Sequence, residues 1–239
     1  MKIEIWSDYV CPFCYIGKRR LEEALNQFAH RDQVEISYKS FELDPNAPVD
    51  TNENIYEILS KKYGTSLQQA KTMAEGVAGQ AAAAGLDFRF DSNVPTNTFD
   101  AHRLTKYAGT KGKEAELTEI LLHAHFTLSQ HIGDRKTLSE LAAQAGLDAR
   151  EAALLLESEE FSEEVRKDEE EARQIGVQGV PFFVINRKYA VSGAQPSDVF
   201  LNSIKKVWEE ENSSSVLQPL GTDGKTCDED GCDTPNVKG

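Results

Sequence analysis

Two cysteines separated by two residues, Cys11-Pro12-Phe13-Cys14, are the part of this chain with the most chemistry in it. A dithiol at this spacing can close into a disulfide ring or hold half of a metal site, and its surroundings decide between them. The preceding run Lys2-Ile3-Glu4-Ile5-Trp6 alternates apolar and charged residues as a strand does. After the pair, Ile16, Leu21, Leu25 and Phe28 recur at helical spacing, with Lys18, Arg19, Arg20, Glu22 and Glu23 assigned to solvent. The cysteines therefore open a helix, where unpaired backbone N–H groups and a partial positive charge favour a thiolate over a thiol at Cys11. Pro12 suits the first turn, since its missing N–H is one the helix does not use. Cys14, one turn further in, is expected to be shielded. The division of labour is then that Cys11 exchanges with a substrate sulfur and Cys14 resolves the mixed disulfide.

The metal alternative would recruit Cys227 and Cys232, the remaining two of the four cysteines, into an all-cysteine zinc site. The strand-to-helix context favours redox chemistry, and no metal is assigned. A C-x-x-C beside a β-α-β pattern reads as thioredoxin-like.

The elements that must position the pair can be read along the chain. Val34 to Phe41 alternates as a second strand, giving β-α-β within the first fifty residues. From about Asn54 to Ile175 the patterning is almost wholly helical, with segments expected from Ile55, over Leu67 to Ala84, after an Asn97-Thr98 cap, over Glu114 to Leu128 and Leu138 to Ala145, and as one run from Ala149 to Gly176. Strand character returns at Val180 to Ile185, turns at Asn186-Arg187-Lys188 and continues through Tyr189-Ala190-Val191. A last helix, Val199 to Trp208, follows the start signals Pro196-Ser197-Asp198. The expected architecture is α/β: a thioredoxin-like fold, βαβ then ββα, with a large inserted α-helical domain. Residues 1–50 and 176–211 would form the discontinuous thioredoxin-like domain, 51–175 the insertion, and 212–239 a flexible acidic tail too poor in apolar residues to order itself.

Composition narrows the function. A chain of 239 residues can bury a core without disulfide staples. Its net charge of −14, from 40 acidic and 26 basic residues, argues against nucleic acid or an anionic membrane as partner. No run has the length of a membrane span, and Met1-Lys2 leads straight into a strand without a signal-peptide pattern, so a cytoplasmic location is expected. A permanent structural disulfide is not expected in that reducing compartment.

A second motif reinforces the first. Gly179-Val180-Pro181 puts a proline ahead of an apolar strand, where it removes a ladder donor. Beside the Cys11 to Cys14 pair a cis bond at Val180-Pro181 is expected, with the Val180 backbone pairing to an extended substrate segment.

Four separated segments, Ser7 to Cys14, Asn97 to Arg103, Gly176 to Phe183 and Val191 to Gln195, together resemble the DsbA family, and its FrnE-like branch most. The resemblance spans most of residues 1–211. It implies thiol–disulfide oxidoreductase or isomerase activity on protein or peptide thiols and disulfides, with Cys11 and Cys14 catalytic and Pro12, Phe13, Val180 and Pro181 at the substrate. No bound cofactor is implied; glutathione or a thioredoxin-type reductant is the expected electron source. Some members of the branch carry a second cysteine pair near the C-terminus, which Cys227 and Cys232 resemble, giving them an auxiliary redox role by analogy. Asp228, Glu229, Asp230 and Asp233 around that pair disfavour a thiolate there.

Where the better-known periplasmic oxidases end their dipeptide in histidine, Phe13 offers no donor, so a less oxidising pair is expected. The alternative function is that of related glutathione-dependent enzymes, the 2-hydroxychromene-2-carboxylate isomerases and kappa-class transferases, which usually place serine at the position of Cys11. His102 is a candidate for lining the cleft between the lobes; His123, His125 and His131 receive no role, and Glu157 to Glu171 is taken as a solvated helix face.

Overall fold

The computed structural model describes residues 1–212 and the backbone of two short strands beyond them, β5 (Cys227–Asp228) and β6 (Gly231–Cys232), which pair antiparallel with Cys227 opposite Cys232. The expectation of a flexible tail falls on residues that otherwise lie outside those described.

The sheet is laid down from both ends of the chain. β1 (Lys2–Ser7), α1 (Pro12–Asn26) and β2 (Glu35–Ser40) come first; β3 (Phe182–Ile185), β4 (Tyr189–Ser192) and α9 (Ser197–Asn212) come last. Its strand order is β2-β1-β3-β4, with β2 parallel to β1 and the other neighbours antiparallel. Between β2 and β3 run α2 (Ile55–Tyr63), α3 (Leu67–Ala83), α4 (Phe99–Thr110), α5 (Glu114–Phe126), α6 (Arg135–Gln144), α7 (Ala149–Glu157) and α8 (Ser162–Gln174). This is the thioredoxin fold carrying added helices. Among the described residues no helix is long and apolar enough to cross a membrane.

Alternation along β1 sorts its side chains between two layers. Ile3 and Ile5 join Leu21, Leu25 and Phe28 of α1 and Phe200 and Ile204 of α9 in one core. Glu4 and Trp6 point to the other face, which is covered as well: Glu4 is buried and ion-paired to Arg187. The cause is α8, whose Ala172 packs on Trp6 and whose Asp168 carbonyl accepts the Trp6 indole N–H at 2.9 Å.

α8 also corrects an expectation. Its acidic face is not simply solvated, because Asp168 and Glu169 are buried. Asp168 meets Lys39 at 3.0 Å, pairs with Lys106 and accepts from the Ser40 amide at 2.9 Å. Acids at helical spacing mark an exposed face only where no neighbour supplies cations, and β2 and α4 supply two here. The single helix expected from Ala149 to Gly176 is broken in two at Phe161, which takes a φ of 62°. The α4 cap is Asn97, whose Oδ1 accepts from Phe99 N at 2.8 Å; Thr98 holds the cap position without a side-chain bond.

Lys18 is likewise not at the surface. It is buried where α5 crosses α1, bonded to Glu119 at 2.6 Å and Glu22 at 2.5 Å, while Arg19 and the Tyr15 hydroxyl also reach Glu119. These donors hold the Glu119 carboxyl down at about 2 against the cost of its burial.

The closest approach in this layer is at Gly17. A Cβ there would stand 3.0 Å from Pro181 Cγ, 3.2 Å from Phe183 Cζ and 3.5 Å from Ala194 Cα. Glycine lets the first turns of α1 lie directly on the residues that begin β3. Gly17→Ala gains helix propensity of about 1 kcal/mol but overpacks at a cost of roughly 1–3 kcal/mol, because a ring carbon and a buried aromatic cannot swing aside. Net destabilisation of up to about 2 kcal/mol is expected in urea unfolding. A more stable variant would show that α1 and the β3 entry separate freely.

Candidate functional site

β1 delivers the chain to Ser7, and the loop of Asp8 to Val10 turns it into α1 with Cys11 as the N-cap residue. Cys11 has extended backbone angles, Pro12 follows in the first turn, and no side chain caps the helix. The first turn also lacks acidic residues, so the partial positive charge of the helix start is left facing the cysteines.

Both thiols are free. Cys11 Sγ lies 3.4 Å from the Val180 carbonyl oxygen, and the Val180–Pro181 bond is cis. Cys14 is the deeper partner in its contacts: its sulfur accepts from the Asp8 amide at 3.4 Å and lies beside Cys11 and Ser7. Burial, then the neighbouring Cys11 sulfur, pushes the Cys14 thiol well up from its ordinary value. The pair is thus asymmetric.

The other expected site residues distribute around this centre. Phe13 is exposed beside the dithiol, whereas its aromatic neighbours Tyr9 and Tyr15 are core residues. Val180 and Pro181, with Gly176, Gln178, Gly179 and Gly193, border an open cleft of about 250 Å³. Cys227 and Cys232 are described only in their backbone pairing.

His102 does not line an open cleft. It is buried 4.8 Å from the Tyr9 ring, centroid to centroid, and its Nε2 lies 3.4 Å from Asp8 Oδ1. The reason is that α4 packs its N-terminal half under the active-site loop, not across the mouth of the site. Asp8 itself is 1% exposed, and its other oxygen accepts from the Leu43 amide at 2.7 Å. Sequence reasoning gave Asp8 and Ser7 no role of their own. The available signal was a carboxylate three positions before Cys11, in a stretch otherwise able to be buried.

His125 is also buried beneath this region. Its Nε2 lies 3.2 Å from Asn93 Nδ2, and burial brings its pKa down to about 4.

Comparison with known proteins places the architecture. The family model for the DSBA-like thioredoxin domain matches residues 2–205. The uncharacterized protein YwbO of Bacillus subtilis is 31% identical over 206 residues, covering 84% of this chain and 94% of YwbO. The crystal structure of a probable DsbA oxidoreductase from Streptomyces coelicolor is 42% identical, with a TM-score of 0.84 over 98% of this chain and 99% of that one. A 2-hydroxychromene-2-carboxylate isomerase structure shares the fold at a TM-score of 0.67 and 14% identity, over 90% of this chain and 100% of that one.

Two measurements follow from the site's electrostatics. With the reduced protein near pH 7, iodoacetamide should modify Cys11 at least about tenfold faster than Cys14, read by peptide mapping; equal rates would remove the asymmetry. For His125 the folded pKa lies below the unfolded one, so the unfolded chain binds the extra proton as pH falls from about 6.5 to about 4. Stability should drop over that window by about 3 kcal/mol on this account, and His125→Gln should flatten that part of the curve. An identical pH dependence in the variant would mean that His125 titrates as it does unfolded.

Proposed function

Given that this chain belongs to the DSBA-like thioredoxin-domain family of thiol oxidoreductases, we propose that it exchanges disulfides with protein or peptide substrates through Cys11 and Cys14. The observation that carries the reading is the placement of two free thiols at an uncapped helix start, one of them 3.4 Å from the Val180 carbonyl at the edge of an open cleft. Cys11 attacks a substrate disulfide, or as half of the Cys11–Cys14 disulfide is attacked by a substrate thiol. Cys14 closes or opens the ring, and its elevated pKa keeps it protonated until the mixed disulfide is in place.

The cleft beside Val180 and Pro181 suits an extended segment, whose backbone can run along the β3 entry while its sulfur meets Cys11. Phe13 adds exposed apolar surface on the α1 side. Glutathione or a thioredoxin-type protein is the reductant class this cycle requires.

Titration against glutathione redox buffers, with thiols counted by mass spectrometry, tests the proposal. A two-electron transition mapping to Cys11 and Cys14 is expected, and Cys14→Ser should trap a mixed disulfide at Cys11. Cys11→Ser should lose exchange by at least about a thousandfold, since a hydroxyl cannot form the covalent intermediate. Absence of the transition, together with glutathione-dependent turnover that survives Cys11→Ser, would replace this reading with the isomerase or transferase one.

A further inference from the structure

A cavity of about 10 Å³ is walled by residues that include the buried Ser7, Ser40, His102, Thr105 and Thr118. That volume suits about one water molecule. Its walls are polar and under-bonded: Ser40 Oγ and Thr118 Oγ1 have no hydrogen-bond partner. Neither has His102 Nε2, since the 3.4 Å approach to Asp8 Oδ1 lacks hydrogen-bond alignment. Unpaired buried hydroxyls are costly, and one water bridging them to the His102 ring removes most of that cost. Ser7, which lies beside the Cys14 sulfur, also lines the cavity. The cavity therefore connects the resolving thiol to a buried histidine–aspartate pair.

We propose that His102, held against Asp8, takes the Cys14 proton through Ser7 and one water in this cavity when Cys14 closes on a Cys11 mixed disulfide, and returns it in the reverse step. The inference rests on the dithiol exchange proposed above. In closure, the Cys14 Sγ–Cys11 Sγ bond forms as the bond from Cys11 Sγ to the substrate sulfur breaks. The electron pair leaves on the substrate thiolate, the two cysteines are oxidised, the substrate is reduced by the same two electrons, and the Cys14 proton moves to the imidazole. A thiol that burial holds protonated needs such an acceptor, and bulk water does not reach it readily.

Of the surrounding titratable groups, Tyr38 is kept protonated by burial, which pushes its phenol well up from the ordinary value, and the others are engaged elsewhere. On β2 and α4, Lys39 and Lys106 are paired with Asp168. In the loop after β2, Glu42 is paired with Arg166 of α8 at 2.5 Å, and Arg166 also holds Glu169. The Tyr9 hydroxyl of the active-site loop is bonded to Thr105 at 2.5 Å, and His125 of α5 meets Asn93. His102 remains, and histidine is the side chain suited to taking and returning a proton near neutral pH.

The test mixes the reduced full chain with oxidised glutathione, quenches in acid at intervals, and follows the Cys11–glutathione adduct by mass spectrometry with peptide mapping, from about pH 6 to pH 9. In the unaltered chain closure outruns attack and the adduct does not accumulate. In His102→Gln closure should slow by about 100-fold near pH 7, the adduct should build up, and the closure rate should rise about tenfold per pH unit as hydroxide takes over. Attack by Cys11, measured separately in a Cys14→Ser background, should stay within about twofold. Ser7→Ala, a small change that does not disturb the helical core, should show the same adduct and the same slope. If both variants close at the unaltered rate and pH dependence, or if attack and closure fall together without a change in pH dependence, the proton path is wrong. If the unaltered chain forms no disulfide at Cys11 at all, the exchange reading fails and this inference with it.

Discussion

The contact that the rest of the structure serves is that of the Cys11 thiol with the Val180 carbonyl, 3.4 Å apart across 169 positions of sequence. Neither element can bring it about alone. β1 carries the chain to the cysteines, β3 begins beside Pro181, and the two strands are neighbours in one sheet, with Trp6 opposite Phe182. That register sets the heights of the two motifs. The missing side chain at Gly17 then sets how closely the helix lies on Pro181. A sheet register is stiff because a slip of one residue would turn Ile3 and Ile5 out of their core, so the spacing of the reactive atoms inherits the strength of ordinary hydrophobic packing.

The added helices are more than a cover for that sheet. α5 buries one side of α1 through Lys18 and Glu119, and α8 buries the second face of the sheet through Trp6 and Asp168. Tyr9, Tyr15 and Ile16, all close to the cysteines, belong to the same core as the helices between β2 and β3. The active-site loop is therefore gripped from two directions, by strand pairing and by helix packing. In such a setting charged groups survive burial only in networks, and each is found in one: Glu4 with Arg187, Glu42 with Arg166, Asp168 with two lysines. Asp8 and His102 are a buried pair 3.4 Å apart whose mutual geometry falls short of a hydrogen bond.

Local sequence carried a good deal of this architecture. The strand before Cys11, the helix after it, the parallel β2 and the final hairpin and helix were legible because period-two and period-3.6 alternation record which face of an element meets the core. The errors share one cause. Lys18 and Asp168 were assigned to solvent since charge at a regular spacing is usually exposed, and each proved buried because a distant segment supplied its counter-ion. The break at Phe161 was missed because backbone angles at single residues leave little trace in side-chain patterning, whereas the Asn97-Thr98 cap was legible from its residue types.

For function the division is sharper. Residue types and spacing alone determined that a dithiol would start a helix after a strand and that a proline motif would open a later strand, since those are properties of short segments. Tertiary structure alone decided that Cys11 faces Val180, that Cys14 lies against the Asp8 amide, and that His102 is buried against Asp8 and not at a cleft mouth. The physical reason is that periodicity reports whether a side chain is inside, whereas its partner inside is chosen by the packing of helices and strands far away in sequence, on which the local pattern carries no information.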